Sequence, residues 1–443
     1  MLKNTLLIGL ALLAGSAAAD PCGMVPPIHI TNTSDVIQRV GAQRTYVSFR
    51  DGIETIALRP GFEGKLDAFG MLIPFPSPPA IRKLDDSTFA HIEAAIDPPV
   101  VNVHITDPRR SFQVLGRRSG IEPPTAASAM ESGLRYSEVR VLREEAVGMY
   151  QVAVLEAGSA AALSRWMSDS GYQYPDGMDD VANDYVREGW CFVAVKAKVG
   201  QAPGVAPEPG MRAVDPNLPD GATFDGYVQG MAFRFETAAP VVPMRLSVFN
   251  GPDPRNVVYM LTDQPVKIAG MPDALVVRQL SGAVLHGHLT APLDVVYHNG
   301  DEGDVSESDR QRIADMRSAD PFLHVARDLF AADLLAARTG RLSLPFEELE
   351  KELLAVSESF GLRGEGLDAL HAEALVEAKA LAVQGALGDV REMHLSVIDG
   401  VLDGQHLAAQ NLEFSAYEMP TQQNRPRRDA IRPADLTTWV EQR

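Results

Sequence analysis

Up to about residue 300, apolar and polar positions alternate mainly with a period of two; beyond it the period becomes helical. Met231, Phe233 and Phe235 alternate with Ala232, Arg234 and Glu236, which predicts a strand with one buried and one wetter face. Thr45–Phe49 and Glu54–Leu58 are β-rich runs around Asp51-Gly52, a dipeptide suited to the positive φ angles of a tight hairpin. A strand from about Lys65 to Ile73 is expected to stop at the proline-rich run 74–79, which reads as extended chain because proline cannot donate to a ladder. A helix is expected near Ser87–Ile96, with Phe89, Ile92 and Ile96 on one side, and residues 107–136 show no period.

Strands at about 137–145 and 149–156 lead into Ser159, the expected N-cap of a helix over 160–170 that Gly171 ends. Leu163, Trp166 and Met167 fall on one face of it. A second helix is predicted at 180–188, capped by Asp179 and stopped by Gly189. Trp190–Val195 is apolar on both faces, as in a central strand. After a Pro- and Gly-rich loop at 200–226, strands are expected at 230–237, 244–250, 256–262, 274–280, 283–289 and 293–298. Helices follow at about 320–337, from Ser343 to Phe360 and at 366–386, then strands at 391–398 and 411–417 and an Arg- and Pro-rich tail.

The fold class this predicts is α+β: a mixed or antiparallel β-sheet core with packed helices, plus a C-terminal helical block. The divisions are a leader over 1–19, an α+β domain over 20–300, a helical subdomain over 301–388, and C-terminal strands with a basic tail over 389–443.

The leader changes the picture of where the chain works. Lys3, the apolar run Leu6–Leu13 and the small residues Ala17 and Ala19 have the layout of a secretory signal peptide cleaved before Asp20. That run is too short to span a bilayer, which takes about 20 residues. The expected location is the periplasm or outside the cell, with no transmembrane segment in the mature chain. Lys and Arg number 40 against 59 Asp and Glu, a net charge of −19, which argues against nucleic acid as a partner. Cys22 and Cys191 are the only cysteines; in an oxidising compartment they could form a disulfide, or remain as two separate thiols.

Several segments together resemble the bacterial exported family DUF2330. They are Cys22-Gly23, Phe69–Pro79, Val147–Tyr150, Val154–Ala157, Ala162-Leu163 with Trp166, Gly171-Tyr172, Tyr185-Val186, Glu188-Gly189, Phe192–Lys196 and Pro243–Leu246, in family order over roughly residues 20–270. Cys22 stands alone where the family's opening carries further glycine and cysteine. The resemblance implies export and a compact α+β domain. It implies no established activity and brings no catalytic residues.

The candidate chemistry is sparse. Ser159 sits at a strand-to-helix turn, but Ala157-Gly158-Ser159-Ala160-Ala161 lacks the G-x-S-x-G of a nucleophile elbow, so the cap reading accounts for it. His286 and His288, on the expected strand 283–289, would share a face and could meet one divalent metal, with His298 returning beside them. No other cofactor motif occurs: the acidic loop 301–309 lacks the calcium-loop pattern, and no phosphate-binding loop is present. Arg425, Arg427, Arg428 and Arg432 read as a solvated basic tail. The function expected is a non-enzymatic periplasmic binding or interaction module, its partner an envelope protein or a small ligand. The alternative is a metal-dependent hydrolase built on His286, His288 and His298.

Overall fold

The computed structural model describes residues 38–39, 42–59, 62–63, 68–104, 139–198, 212–215, 230–250, 255–290, 294–298, 305–314, 324–342, 380–402 and 407–420, apart from isolated positions within these spans. The strands are β1 (Gln38–Arg39), β2 (Gln43–Arg50), β3 (Ile53–Leu58), β4 (Phe62–Glu63), β5 (Ala68–Phe75), β6 (Ala80–Lys83), β7 (Val100–His104), β8 (Val139–Val147), β9 (Tyr150–Ala157) and β10 (Cys191–Lys198). They continue with β11 (Arg212–Asp215), β12 (Met231–Glu236), β13 (Val241–Val242), β14 (Asn256–Thr262), β15 (Val266–Ile268), β16 (Val276–Ser281), β17 (Asp294–His298), β18 (His394–Gly400) and β19 (Leu412–Ala416). The helices are α1 (Thr88–Ile96), α2 (Ala160–Asp169), α3 (Met178–Arg187), α4 (Gly282–Thr290), α5 (His324–Thr339) and α6 (380–389).

Two sheets organise the molecule. One has seven strands in the order β16-β18-β14-β2-β3-β12-β6, mixed because β2 and β14 run parallel. The other has five, β11-β8-β9-β10-β5. Their period-two pattern is apolar on both faces, so each sheet needs a cover on each side. Val47, Ile56, Phe233 and Met260 of the large sheet meet Ile73, Phe75, Val152 and Val193 of the smaller one. Phe75 lies 5.0 Å from Phe233 and 5.1 Å from Phe235, ring centre to ring centre, which ties the two sheets with aromatic contacts. The far face of the large sheet, with Tyr46, Ala57, Tyr259 and Leu395, is covered by α1, α4, α5 and α6. The far face of the smaller sheet, with Leu72, Leu155, Phe192 and Ala194, is covered by α2 and α3. The layers therefore run helices, sheet, sheet, helices, and the α+β class is realised with helices packed through the C-terminal block.

The expected hairpin is β2–β3, and Asp51 and Gly52 take φ of 51° and 79° in its turn. Trp190–Val195 becomes β10, an interior strand between β9 and β5 as its two apolar faces predicted. Four expectations are corrected. β5 continues through Pro74 to Phe75, with Pro74 opposite Phe192; this is allowed because β5 is an edge strand with one unpaired side. Residues 245–250 form a 3-10 helix instead of a strand, opened by Ser247 N–H donating to the Met244 carbonyl at 2.9 Å. Helix α3 begins at Met178 behind Gly177, whose φ is 82°, so Asp179 lies inside the first turn and is not the cap. Residues 283–289 are helical, because Leu285 and Leu289, four apart, both point into the core under α4.

Helix α5 (His324–Thr339) falls on the helix expected at 320–337, whose first residues lie outside the described ones, and α6 overlaps the end of the helix expected at 366–386. The leader, Cys22, residues 107–136, the helix expected at 343–360 and the arginine tail lie outside the described residues. Strand β18 is inserted between β16 and β14, so residues before 50, around 260–280 and after 394 complete one sheet.

Candidate functional site

The turn at Ser159 is structural. Its backbone is extended (φ −164°, ψ 161°), and its hydroxyl accepts from the Ala162 N–H at 3.1 Å. Asn183 Oδ1 accepts from the Ala160 N–H at 3.2 Å, so two of the unpaired N–H groups at this helix end are satisfied. An open cleft of about 580 Å³ lies beside the turn, lined in part by Asp180, Asn183, Asp184 and Arg187. Asp184 is held there by Arg187 and by Arg245, whose Nη2 is 2.5 Å away. Arg245 also sits 5.8 Å from the Tyr185 ring centre. These contacts join α3 to the 3-10 helix, so the segments behind the resemblance here act as packing.

The histidine arrangement fails at its premise. His286 and His288 sit on helix α4, where residues two apart point about 200° from each other round the axis, so they do not share a face. His288 Nδ1 lies 2.8 Å from the Ala95 carbonyl oxygen and ties α4 to α1. Burial, and then the charge of Arg391, lower the pKa of His286 from its ordinary value. His298 ends β17, opposite His104 of β7 in a parallel pair. Among the described residues no group of three or more His, Cys, Asp or Glu side chains is placed to hold a metal. Cys191 is 4 % exposed, with Sγ 3.5 Å from the Phe75 carbonyl oxygen; its expected disulfide partner, Cys22, is outside the described residues.

The sharper arrangement lies on the helix-covered face of the large sheet. In the β12–β6 register Arg82 is opposite Ala232 and Arg234 is opposite Ala80. Residues of one face recur every second position, so this patch alternates arginine and alanine diagonally. Each guanidinium therefore faces a side chain too short to fill the space across from it. The result is a small half-open cavity with about 220 Å³ of empty space, its opening to solvent included, lined by Thr55, Ala80, Ile81, Arg82, Ala232, Arg234 and Leu342.

The two arginines are held differently. The Arg234 side chain is 4 % exposed; its Nη2 donates to Asp333 Oδ1 at 2.6 Å and its Nε to Thr55 Oγ1 at 3.1 Å. The Thr55 hydroxyl in turn donates a hydrogen bond to the same Asp333 oxygen at 2.8 Å. Arg82 Nη2 is buried and has no hydrogen-bond partner. Burial is the largest influence on Arg82 and lowers its pKa from the usual value; Asp333 opposes the shift and Arg234 adds to it. Burial, and then the Asp333 charge, push the neighbouring Tyr46 phenol well up. Two guanidiniums stand against one buried carboxylate, Asp333, with the exposed Asp328 a further negative charge acting on Arg82.

The sequence pattern put Arg234 on a wetter face, but α5 lies over that face. A signal was present. Phe330, Asp333, Leu334 and Ala337 recur at i, i+3, i+4 and i+7, so Asp333 falls on the apolar stripe of α5 where a lone acid needs a buried cation.

A family described as "Uncharacterized protein conserved in bacteria (DUF2330)" matches residues 16–333, which extends past the segments that carried the resemblance and takes in most of α5. No curated protein and no solved structure matches the chain. None of the helices in the described residues is long and apolar enough to cross a membrane.

Proposed function

The chain belongs to the bacterial family DUF2330, and from that premise we propose that it is an exported, non-enzymatic binding module that holds a small anion between Arg82 and Arg234. The observation that carries this reading is the buried Arg82 Nη2 without a hydrogen-bond partner at a cavity. A buried donor left unsatisfied costs about 1–3 kcal/mol, more when charged, and an anion in the cavity removes that cost. The anion would also balance the excess of guanidinium over carboxylate charge among the buried groups, Arg82, Arg234 and Asp333. Export is supported by the leader pattern of Lys3, Leu6–Leu13, Ala17 and Ala19.

The test is thermal unfolding of the full mature chain at fixed ionic strength with sulfate, phosphate or acetate. A ligand bound only by the folded state raises Tm by mass action. At least one anion is expected to raise the Tm of the natural chain and leave Arg82→Gln unmoved. Equal shifts in both proteins for every anion would overturn the reading. The intact mass of the secreted protein, expected to begin at Asp20, tests the export half separately.

A further inference from the structure

We propose that the ligand of the Arg82–Arg234 cavity is a short aliphatic monocarboxylate, an inference that rests on the anion-binding reading above. Three features select this class. The first is charge: within the buried layer Arg82 and Arg234 carry two positive charges and Asp333 one negative, while Asp328, the other carboxylate acting on Arg82, is exposed, so a single monoanion balances the buried groups. A dianion would bring its second charge against Asp333, whose side chain is 2 % exposed and so poorly screened. The second is shape. A guanidinium presents its donors in a plane and a carboxylate accepts in a plane, so the two match edge to edge in a way a tetrahedral oxyanion does not. The third is the wall. Ala80, Ile81, Ala232 and Leu342 line the rest of the cavity, so a short hydrocarbon end finds apolar contact beside the charged head.

The same cavity explains its own alanines. A longer side chain at Ala80 or Ala232 would fill the space opposite Arg234 or Arg82 and close the site. Arg234 is already fixed by Thr55 and Asp333, so it is the preset half of the clamp. Arg82, on the edge strand β6, is the half whose Nη2 the ligand satisfies.

The experiment is calorimetric titration of the full mature chain with formate, propionate, phosphate and an N-acetylated tripeptide with a free C-terminal carboxylate. Propionate should bind about tenfold more tightly than formate, because its two extra carbons are taken out of water. Arg82→Gln should weaken propionate at least tenfold. Ala80→Leu, which fills the cavity and leaves every charge in place, should do the same, and circular dichroism confirms that each variant is folded. Binding of the peptide as tightly as propionate supports a chain-terminal carboxylate as the source, and binding of propionate alone supports a free acid. Phosphate binding more tightly than propionate overturns the carboxylate class and leaves the anion module standing. No binding by any anion overturns both. Propionate binding unchanged in folded Arg82→Gln and Ala80→Leu proteins overturns the assignment to this cavity.

Discussion

Removing one carboxylate from the layer between the large sheet and α5 should unlock the helix from the sheet. In Asp333→Ala, Arg234 keeps its place in the middle of β12 but loses the acceptor of its Nη2, and Thr55 loses the acceptor of its hydroxyl. The Arg234 side chain is 4 % exposed, so its guanidinium is left buried without its counter-charge. Breaking a buried pair from one side costs about 3–5 kcal/mol. The stranded Thr55 hydroxyl adds about 1 kcal/mol, so the expected loss is about 4–6 kcal/mol. Urea unfolding followed by the fluorescence of Trp166 and Trp190 and by circular dichroism measures it, with the midpoint falling and the slope unchanged. The control is the double change Arg234→Met with Asp333→Leu, which removes both charges together and should recover most of the loss, because a buried ion pair is close to neutral against apolar groups of similar size. A loss under about 1 kcal/mol in Asp333→Ala would refute the reasoning, since that is the range of exposed ion pairs. A double variant no better than the single one would refute it as well.

Two further outcomes follow from buried groups elsewhere. Glu54 is fully buried between the sheets, with its carboxyl oxygens 3.1 and 3.4 Å from the Val241 N–H; burial raises its pKa well above 4.5, and the Val241 hydrogen bond only partly opposes the shift. The folded state thus binds this proton more tightly than the unfolded state. Its contribution to stability is full below the unfolded value and is lost as pH rises from there toward the raised folded value. Glu54→Gln should therefore flatten the fall of stability above pH 4.5 and exceed the natural chain at neutral pH, and identical pH profiles of the urea midpoint would count against this. At Gly282 an added Cβ would overlap the carbonyl oxygens of Val390 and Met393, which are backbone and cannot swing aside. Gly282→Ala should cost several kcal/mol, about the scale of severe overpacking, and a Tm within a few degrees of the natural chain would show that α4 shifts freely.

The strand core was legible because its physics is local. The Asp51-Gly52 turn, the alternation in β12 and the two-sided apolar run of β10 each name a conformation and a degree of burial within a few residues. Ser159 was legible as a cap for the same reason. What the sequence hid depends on partners far along the chain. The apolar positions Val284, Leu285 and Leu289 around the histidines fit a short strand or a short helix, and only the pocket under α4, shared with Met393 and Val390, decides between them. Pro74 could pair because β5 lies at an edge, a property of sheet order. The cavity joins Arg82 of β6, Arg234 of β12 and Leu342 beyond α5, and no spacing in the chain connects these residues.

The insertion of β18 also sets an order of events. The seven-stranded sheet cannot close until residues 394–400 arrive, because β14 and β16 are joined only through that strand. Until then β14, already paired in parallel with β2 across more than two hundred positions of chain, presents an open edge. Such distant pairings form slowly, since loop closure must be met before the contacts reward it. A chain made from its N-terminus therefore leaves its large sheet incomplete until residues 394–400 emerge, and until then the free edge of β14 is exposed to pairing with the wrong strand.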